Sequence, residues 1–89
     1  MKDRNKKFIR GRKSGFETIA KRKMSKSEYV RLSYSINGHV YHFDDIYVDE
    51  RCYYGFCQKA SNWAWLGENY VQFEGEDIVI AKIIDFEMA

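Results

Sequence analysis

Apolar and polar residues alternate on both sides of the dipeptide Asn37-Gly38, near the middle of the chain. Asn-Gly accepts the positive φ angles of a two-residue type I′ turn, so the pattern predicts a β-hairpin centred on it. The predicted cross-strand pairs are Ile36–His39, Ser35–Val40, Tyr34–Tyr41, Ser33–His42, Leu32–Phe43 and Arg31–Asp44. One face of this ribbon is aliphatic and aromatic and the other is mainly polar, as in an antiparallel sheet buried on one face.

A second hairpin is predicted in the C-terminal half of the chain. Trp63 and Trp65 fall on one face of a strand, and the triplet Gly67-Glu68-Asn69 supplies a tight turn. Residues 70–73 form the returning strand, and residues 74–77 form the next turn. This part of the chain is therefore predicted to be a meander of short antiparallel strands.

The segments that flank this meander have less regular patterns. Residues 49–60 lose the alternation and contain Gly55, which indicates a connection, with a short helical or strand turn as the alternative within it. Residues 78–88 are rich in β-branched side chains and have apolar residues at both odd and even positions. This pattern predicts a central strand that is covered on both faces.

A short helix is predicted before the first hairpin. Ser14 and Glu17 have the spacing of a capping box, which would start a helix near Gly15 and let it run to Met24. The face expected to dock on the sheet carries the apolar residues Phe16, Ile19, Ala20 and Met24. A helix of this length is marginal in isolation, so we expect it to pack on the body or to form on binding.

These elements predict a mainly β (α+β) fold with one core. A short N-terminal helix precedes about five antiparallel strands, which form a small barrel or rolled sheet. The chain divides into a flexible basic arm over residues 1–13, a short amphipathic helix and linker over residues 14–27, and a single antiparallel β domain over residues 28–89. A large active-site cleft is not expected in a chain of 89 residues.

The formal net charge of +2 conceals a strong division along the chain. Residues 1–31 contain twelve Lys or Arg and three Asp or Glu, a net charge of +9. Residues 32–89 contain three Lys or Arg and ten Asp or Glu, a net charge of −7. A basic N-terminal segment therefore precedes an acidic body, and each is a candidate contact surface with its own kind of partner.

The basic segment favours nucleic acid as a partner, because Lys and Arg neutralise phosphates whatever the base sequence. The candidate contact residues are Lys6, Lys7, Arg10, Arg12, Lys13, Lys21, Arg22 and Lys23. Arg10-Gly11-Arg12 resembles the core of an AT-hook, which implies a minor-groove arm, with Lys13 where that motif has proline. A solubilising tail without a defined target has a similar composition.

The acidic body favours a different partner, a protein with a basic cleft. Carboxylates at strand ends and turns can imitate the spaced phosphates of a nucleic acid. The candidate contact residues are Asp44, Asp45, Asp49, Glu50, Glu74 and Glu76. The chain would then be an inhibitor or regulator of the kind that phages and mobile elements encode, such as an anti-defence protein. Acidic turns of a soluble domain without such a role look the same.

The remaining residue clusters favour packing over chemistry. His39 and His42 point to opposite faces of a regular strand, and Cys52 and Cys57 lack metal-ligand spacing, so neither a metal nor a cofactor is expected. The aromatic residues of the second half can fill the core or form a surface that stacks unpaired bases or a nucleotide-like ligand. This cluster comprises Tyr53, Tyr54, Phe56, Trp63, Trp65, Tyr70 and Phe73.

A catalytic arrangement is also not expected. Ser33, His42 and Asp44 share the polar face of the predicted hairpin, but no oxyanion hole or enclosed pocket is evident.

The sequence therefore predicts a cytoplasmic, non-enzymatic binding module that engages nucleic acid or a complex containing nucleic acid. The protein-directed inhibitor is the alternative. No apolar run is long enough to cross a membrane, and a second copy of the chain is a further candidate partner through an exposed edge strand.

Overall fold

The computed structural model of the protein describes residues 11–89, with side chains from residue 15 onward. One helix, α1 (Gly11–Arg22), precedes eight strands in this part of the chain. The strands are β1 (Ser25–Lys26), β2 (Tyr29–Ile36), β3 (His39–Val48), β4 (Tyr53–Cys57), β5 (Asn62–Leu66), β6 (Tyr70–Phe73), β7 (Val79–Ile80) and β8 (Lys82–Met88). The prediction of a mainly β fold with one short helix is confirmed.

The hairpin of β2 and β3 has the predicted turn and the predicted register. Asn37 and Gly38 have φ angles of 53° and 81°, which a type I′ turn requires at both positions. All six predicted pairs, from Ile36–His39 to Arg31–Asp44, are present. Local turn chemistry and side-chain alternation therefore determine this part of the fold.

The strands form one antiparallel sheet in the order β7-β6-β5-β4-β3-β2-β8, with β1 beside β3. Only Ala81 separates β7 from β8 along the chain, although these strands lie at opposite ends of the sheet. The sheet therefore curls until its two ends approach each other, which produces an open half-barrel. Ala81 is buried at this junction, and its N–H donates to the carbonyl of Asn69 at 3.1 Å.

Apolar side chains fill the concave side of the curled sheet. Phe43, Ile46, Cys57, Ala64 and Val71 are fully buried there or nearly so. The Tyr34 ring also lies in this core, and its hydroxyl donates to the carbonyl of Gly67 at 2.6 Å. Burial in this core raises the pKa of Tyr34, so the phenol stays neutral.

The helix α1 covers the convex side of the sheet over β4 and β5. Met24, Tyr54 and Trp63 form a second buried cluster there, and Trp65 is partly buried beside them. The Tyr54 and Trp63 rings are stacked, with centroids 5.1 Å apart and planes 8° from parallel. Gly15 lies directly on Trp63, since a Cβ at this position would be 2.4 Å from the indole Nε1.

The helix differs from the prediction in its start and in its docking face. It contains Gly11–Arg22, so Ser14 lies inside it instead of capping it, and residues 11 and 12 of the AT-hook-like triplet are helical. Phe16 and Ala20 point to solvent, with Phe16 73% exposed, whereas Met24 is buried. The helix contacts Trp63 through Gly15, which is not one of the apolar residues that define the predicted docking face.

The structure also differs from the predicted strands in two places. Residues 53–57 form β4 inside the predicted connection, and Gly55 lies within this strand where a Cβ would be 3.2 Å from side-chain atoms of Ile46 and Leu66. The segment predicted as one central strand is split into β7 and β8. Both strands are exposed at the ends of the sheet instead of being covered on two faces.

The described helix is too short and too polar to cross a membrane.

Candidate functional site

Three consecutive basic residues, Lys21, Arg22 and Lys23, lie where α1 ends. The N–H of Lys23 donates to the carbonyl of Ala20, and the N–H of Met24 donates to the carbonyl of Ile19. Lys23 has a φ of 54°, so these bonds form the Schellman motif that terminates a helix. The buried Met24 side chain anchors the motif, and Lys21 and Lys23 are left exposed.

Arg22 is held against the body by two contacts. Its guanidinium lies 4.9 Å from the centroid of the Trp65 ring, which is a cation–π distance. Its Nη2 and Nε atoms donate to Oδ2 of Asp49 at 2.7 and 3.2 Å. This hydrogen-bonded carboxylate raises the pKa of Arg22.

Asp49 organises the connection between β3 and β4. Its Oδ1 accepts hydrogen bonds from the backbone N–H groups of Arg51 and Cys52, at 2.9 and 2.8 Å. The bond from the Arg51 amide, followed by those from Arg22 and the Cys52 amide, lowers the pKa of Asp49 to about 2. Both carboxylate oxygens therefore have internal partners, although Asp49 was predicted to face an external one.

An open cleft of about 610 Å³ lies between the end of α1 and this connection. Its lining includes Arg22, Lys23 and Arg51, together with Asp49 and Glu50. Arg51 was missed by the sequence analysis because it belongs to the acidic half of the chain. Its place beside Arg22 and Lys23 depends on the packing of α1, which no local pattern reveals.

The other predicted nucleic-acid contacts are only partly described. Lys6, Lys7 and Arg10 lie outside the described residues, and Arg12 and Lys13 lie in the first turn of α1. Phe16 projects from the same helix into solvent, on a side that does not contact the barrel. Proteins that bind single strands combine exposed aromatic rings, which stack on bases, with cations, which contact phosphates.

The predicted acidic surface is divided between engaged and exposed carboxylates. Asp44 accepts hydrogen bonds from the Arg31 guanidinium at 2.9 and 3.4 Å, across the β2–β3 hairpin. Asp45, Glu50 and Glu76 are exposed. Asp45 has a φ of 51°, and the register of β3 and β4 shifts at this position, so Asp45 belongs to a bulge in the sheet.

Glu74 lies beneath α1 and is not the exposed turn residue that the sequence predicts. Its Oε2 accepts hydrogen bonds from the Tyr54 hydroxyl at 2.5 Å and from the Thr18 hydroxyl at 3.2 Å. Its Oε1 is buried without a hydrogen-bond partner. Burial raises the pKa of Glu74, against the lowering effect of the two hydroxyl groups, and burial together with Glu74 raises the pKa of Tyr54.

The polar face of the first hairpin contains a serine–histidine contact with different geometry from a catalytic triad. The Ser33 Oγ and His42 Nδ1 atoms are 2.7 Å apart, and Ser33 is buried. Asp44 is bonded to Arg31, whereas a triad needs its carboxylate on the imidazole nitrogen remote from the serine. This contact therefore links two neighbouring strands and is not arranged for nucleophilic attack.

The cysteines and histidines are separate from one another. Cys52 is a partly exposed free thiol, and Cys57 is a free thiol in the core, where burial raises its pKa. Among residues 11–89, no three His, Cys, Asp or Glu side chains are grouped so that they could hold a metal ion.

The described residues therefore place the basic end of α1 beside a charged cleft, and the same helix carries an exposed aromatic ring, Phe16. This arrangement can bind an anionic polymer through phosphate contacts. Comparison of the chain with protein-family models, with curated proteins and with solved structures finds no match.

Proposed function

We propose that the protein is a small, non-enzymatic binding module that engages nucleic acid, or a complex containing nucleic acid, through its basic N-terminal segment and α1. The half-barrel is the scaffold that holds the helix. Twelve of the fifteen Lys and Arg residues lie within residues 1–31, so the positive charge belongs almost entirely to this part of the chain. Clustered positive charge on one element is the electrostatic feature that phosphate binding requires.

The exposure of Lys21 and Lys23 on a docked helix is the observation that carries the proposal. Gly15 and Thr18 fix the helix on the barrel through Trp63 and Glu74, so the lysines lie on the side that faces solvent. A fixed helix presents its cations without the entropy loss of ordering a loose segment on binding. Arg51, across the cleft, adds a third accessible cation near the helix end.

The internal contacts of the acidic residues favour this function over the protein-directed inhibitor. Asp44, Asp49 and Glu74 have partners inside the molecule, in Arg31, Arg22 and Tyr54 respectively. An inhibitor surface built on these three carboxylates would have to break those bonds before it could contact a basic cleft. The exposed carboxylates Asp45, Glu50 and Glu76 are the part of the acidic surface that needs no such rearrangement.

The cytoplasm is the compartment that fits this proposal. Cys52 and Cys57 are both free thiols, and such thiols persist where the environment is reducing.

Fluorescence anisotropy with labelled single-stranded RNA, single-stranded DNA and duplex DNA tests the proposal on the full chain. Lys21→Gln and Lys23→Gln each remove one exposed cation from the helix end. We expect each to weaken binding of at least one of the three probes about threefold to tenfold at low salt. The matched control is Lys59→Gln, which removes the same charge from a residue of the β4–β5 turn whose Nζ contacts the Val40 carbonyl.

Two results would contradict the proposal. The first is the absence of binding to all three probes at low salt. The second is a loss of affinity in Lys59→Gln that equals the loss in the two helix variants, since this would reflect net charge alone. Capture of one stoichiometric protein partner by a chain that binds none of the probes would favour the inhibitor function instead.

A further inference from the structure

The last strand of the chain has an unusual composition for the end of a sheet. Within the described residues, β8 has β2 as its only sheet neighbour, and all seven of its residues are exposed. Ile84, Phe86 and Met88 are each about half exposed, at 48%, 54% and 49%. Edge strands of monomeric proteins are usually protected by lysines, prolines or a covering element, and β8 has one lysine and no proline.

A bulge in β8 determines which of its side chains share a face. Ser33 pairs with Asp85 and Tyr34 pairs with Ile83, so Ile84 is an extra residue without a partner in β2. Lys82, Asp85 and Glu87 therefore lie on one face, opposite Ser35, Ser33 and Arg31 of β2. Ile83 and Phe86 lie on the other face, opposite the core residues Tyr34 and Leu32.

This distribution makes β8 complementary to itself in one antiparallel register. When the two-fold axis passes between Ile84 and Asp85, Lys82 of each copy lies opposite Glu87 of the other. Ile83 then lies opposite Phe86 on the apolar face. Without the bulge, residues 82 and 87 would lie on opposite faces of the strand, and the two charges could not meet in this register.

We propose that β8 is a self-association surface, on which the strand pairs antiparallel with β8 of a second copy of this chain in that register. The contact is symmetric, so it contains two Lys82–Glu87 pairs, two Ile83–Phe86 pairs and, on either side of the axis, two Ile84–Asp85 pairs. Opposite charges and apolar side chains that face each other across strands are both stabilising. The half-barrels of the two copies would join into one sheet through their open ends.

Pairing also uses backbone groups that the isolated chain leaves at its edge. The Phe86 N–H currently donates to the Asp85 carboxylate of the same strand at 2.8 Å, and a neighbouring strand would replace that acceptor. The proposed contact is independent of the nucleic-acid function, because β8 and α1 lie on different parts of the sheet and share none of the residues discussed above.

Sedimentation equilibrium of charge-swapped variants tests the register directly. The wild-type chain should show a species of twice its 10.6 kDa mass as concentration rises. Lys82→Glu and Glu87→Lys each create two like-charge pairs, and each should weaken dimerisation about tenfold. The double variant restores opposite charges across the interface and should return the dissociation constant close to that of the wild type. Lys59→Glu, with the same charge change away from β8, should leave it unaltered.

Amide hydrogen exchange of the wild-type chain gives a second readout that needs no variant. We expect protection of residues 83–87 to increase with protein concentration. A chain that stays monomeric at millimolar concentration would overturn the proposal, as would a double variant that dimerises no better than the single ones. Protection of β8 that is independent of concentration would also overturn it, because the strand would then be covered by another segment of the same chain.

Discussion

Gly15 of α1 packs against the Trp63 indole so closely that a Cβ on Gly15 would lie 2.4 Å from Nε1. The contact joins the basic helix to the convex side of the barrel, where Trp63 is 8% exposed. A glycine inside a helix normally costs about 1 kcal/mol relative to alanine, so its presence here is explained by the space that the indole occupies.

Gly15→Ala should lower the free energy of unfolding by about 1–3 kcal/mol, because overpacking against Trp63 outweighs the gain in helix propensity. Urea denaturation followed by tryptophan fluorescence measures this change. Phe16→Ala, at the exposed neighbouring position, is the control and should change stability by less than about 0.5 kcal/mol. Stabilisation by Gly15→Ala would mean that the helix does not dock on the indole.

A second prediction concerns the pH dependence of the contact between Glu74 and Tyr54. Since burial raises the pKa of Glu74 above its ordinary value of 4.5, the folded state binds this proton more tightly than the unfolded state. The contribution of Glu74 to stability is therefore greatest below pH 4.5 and is lost as pH rises through the raised pKa.

Measured from pH 4 to pH 7.5, the free energy of unfolding of the wild type should decrease relative to that of Glu74→Gln, which cannot titrate. Glu76→Gln is the matched control, because Glu76 is exposed and its replacement removes the same charge. If the wild type instead gained stability over this range relative to Glu74→Gln, the folded state would favour the charged carboxylate. The pKa of Glu74 would then be lowered on folding instead of raised.

The Asp49 carboxylate should be important for stability in spite of its position in a surface turn. Asp49→Ala removes the acceptor of two backbone N–H groups and of the Arg22 guanidinium, and we expect a loss of about 1–2 kcal/mol in urea denaturation. Glu50→Ala, at the exposed adjacent position, should have little effect. Equal effects of the two substitutions would contradict the role assigned to Asp49.

The lowered pKa of Asp49 predicts that part of the stability is lost in acid. Its pKa is lowered from 3.8 to about 2 by the Arg51 and Cys52 amides and by Arg22. A lowered pKa stabilises the folded state above pH 3.8, and this contribution disappears as pH falls towards 2. Acid denaturation of Asp49→Ala should therefore show a shallower loss of stability between these pH values than the wild type.

Gly38 should be sensitive to substitution for a reason that differs from Gly15. No atom lies within 4 Å of the position that a Cβ would take, but φ is 81°. Gly38→Ala should cost about 1 kcal/mol through backbone strain alone, whereas a D-alanine introduced by chemical synthesis should cost less than L-alanine. Equal stability of the L-alanine and D-alanine chains would contradict the type I′ turn.

Parts of the fold with local causes could be predicted from the sequence. The β2–β3 register follows from a turn dipeptide and from alternation that continues for six residues on each side. Trp63 and Trp65 likewise share the face of β5 on which α1 packs, as their spacing predicts. In both places the alternation of side chains along the strand and the adjacent turn residues specify the same structure.

The C-terminal strands and the docking of α1 could not be predicted in this way. Residues 78–88 have apolar side chains at odd and even positions, a pattern that predicts a strand covered on both faces. In the structure the bulge at Ile84 changes which side chains share a face, and β8 is exposed at the end of the sheet. The burial of Glu74 and the position of Arg51 depend on where the helix lies against β4 and β5. That position is set by a glycine–indole contact between residues 48 positions apart.

The salt dependence of nucleic-acid binding tests the proposed function most directly. The full chain is titrated against single-stranded and duplex probes at several salt concentrations, and the logarithm of the association constant is plotted against the logarithm of salt concentration. Phosphate contacts by the basic segment predict a steep negative slope, which Lys21→Gln and Lys23→Gln should each make shallower by about 0.7–0.9. A slope near zero, or one that neither helix variant changes, would contradict the proposal that the basic helix binds nucleic acid.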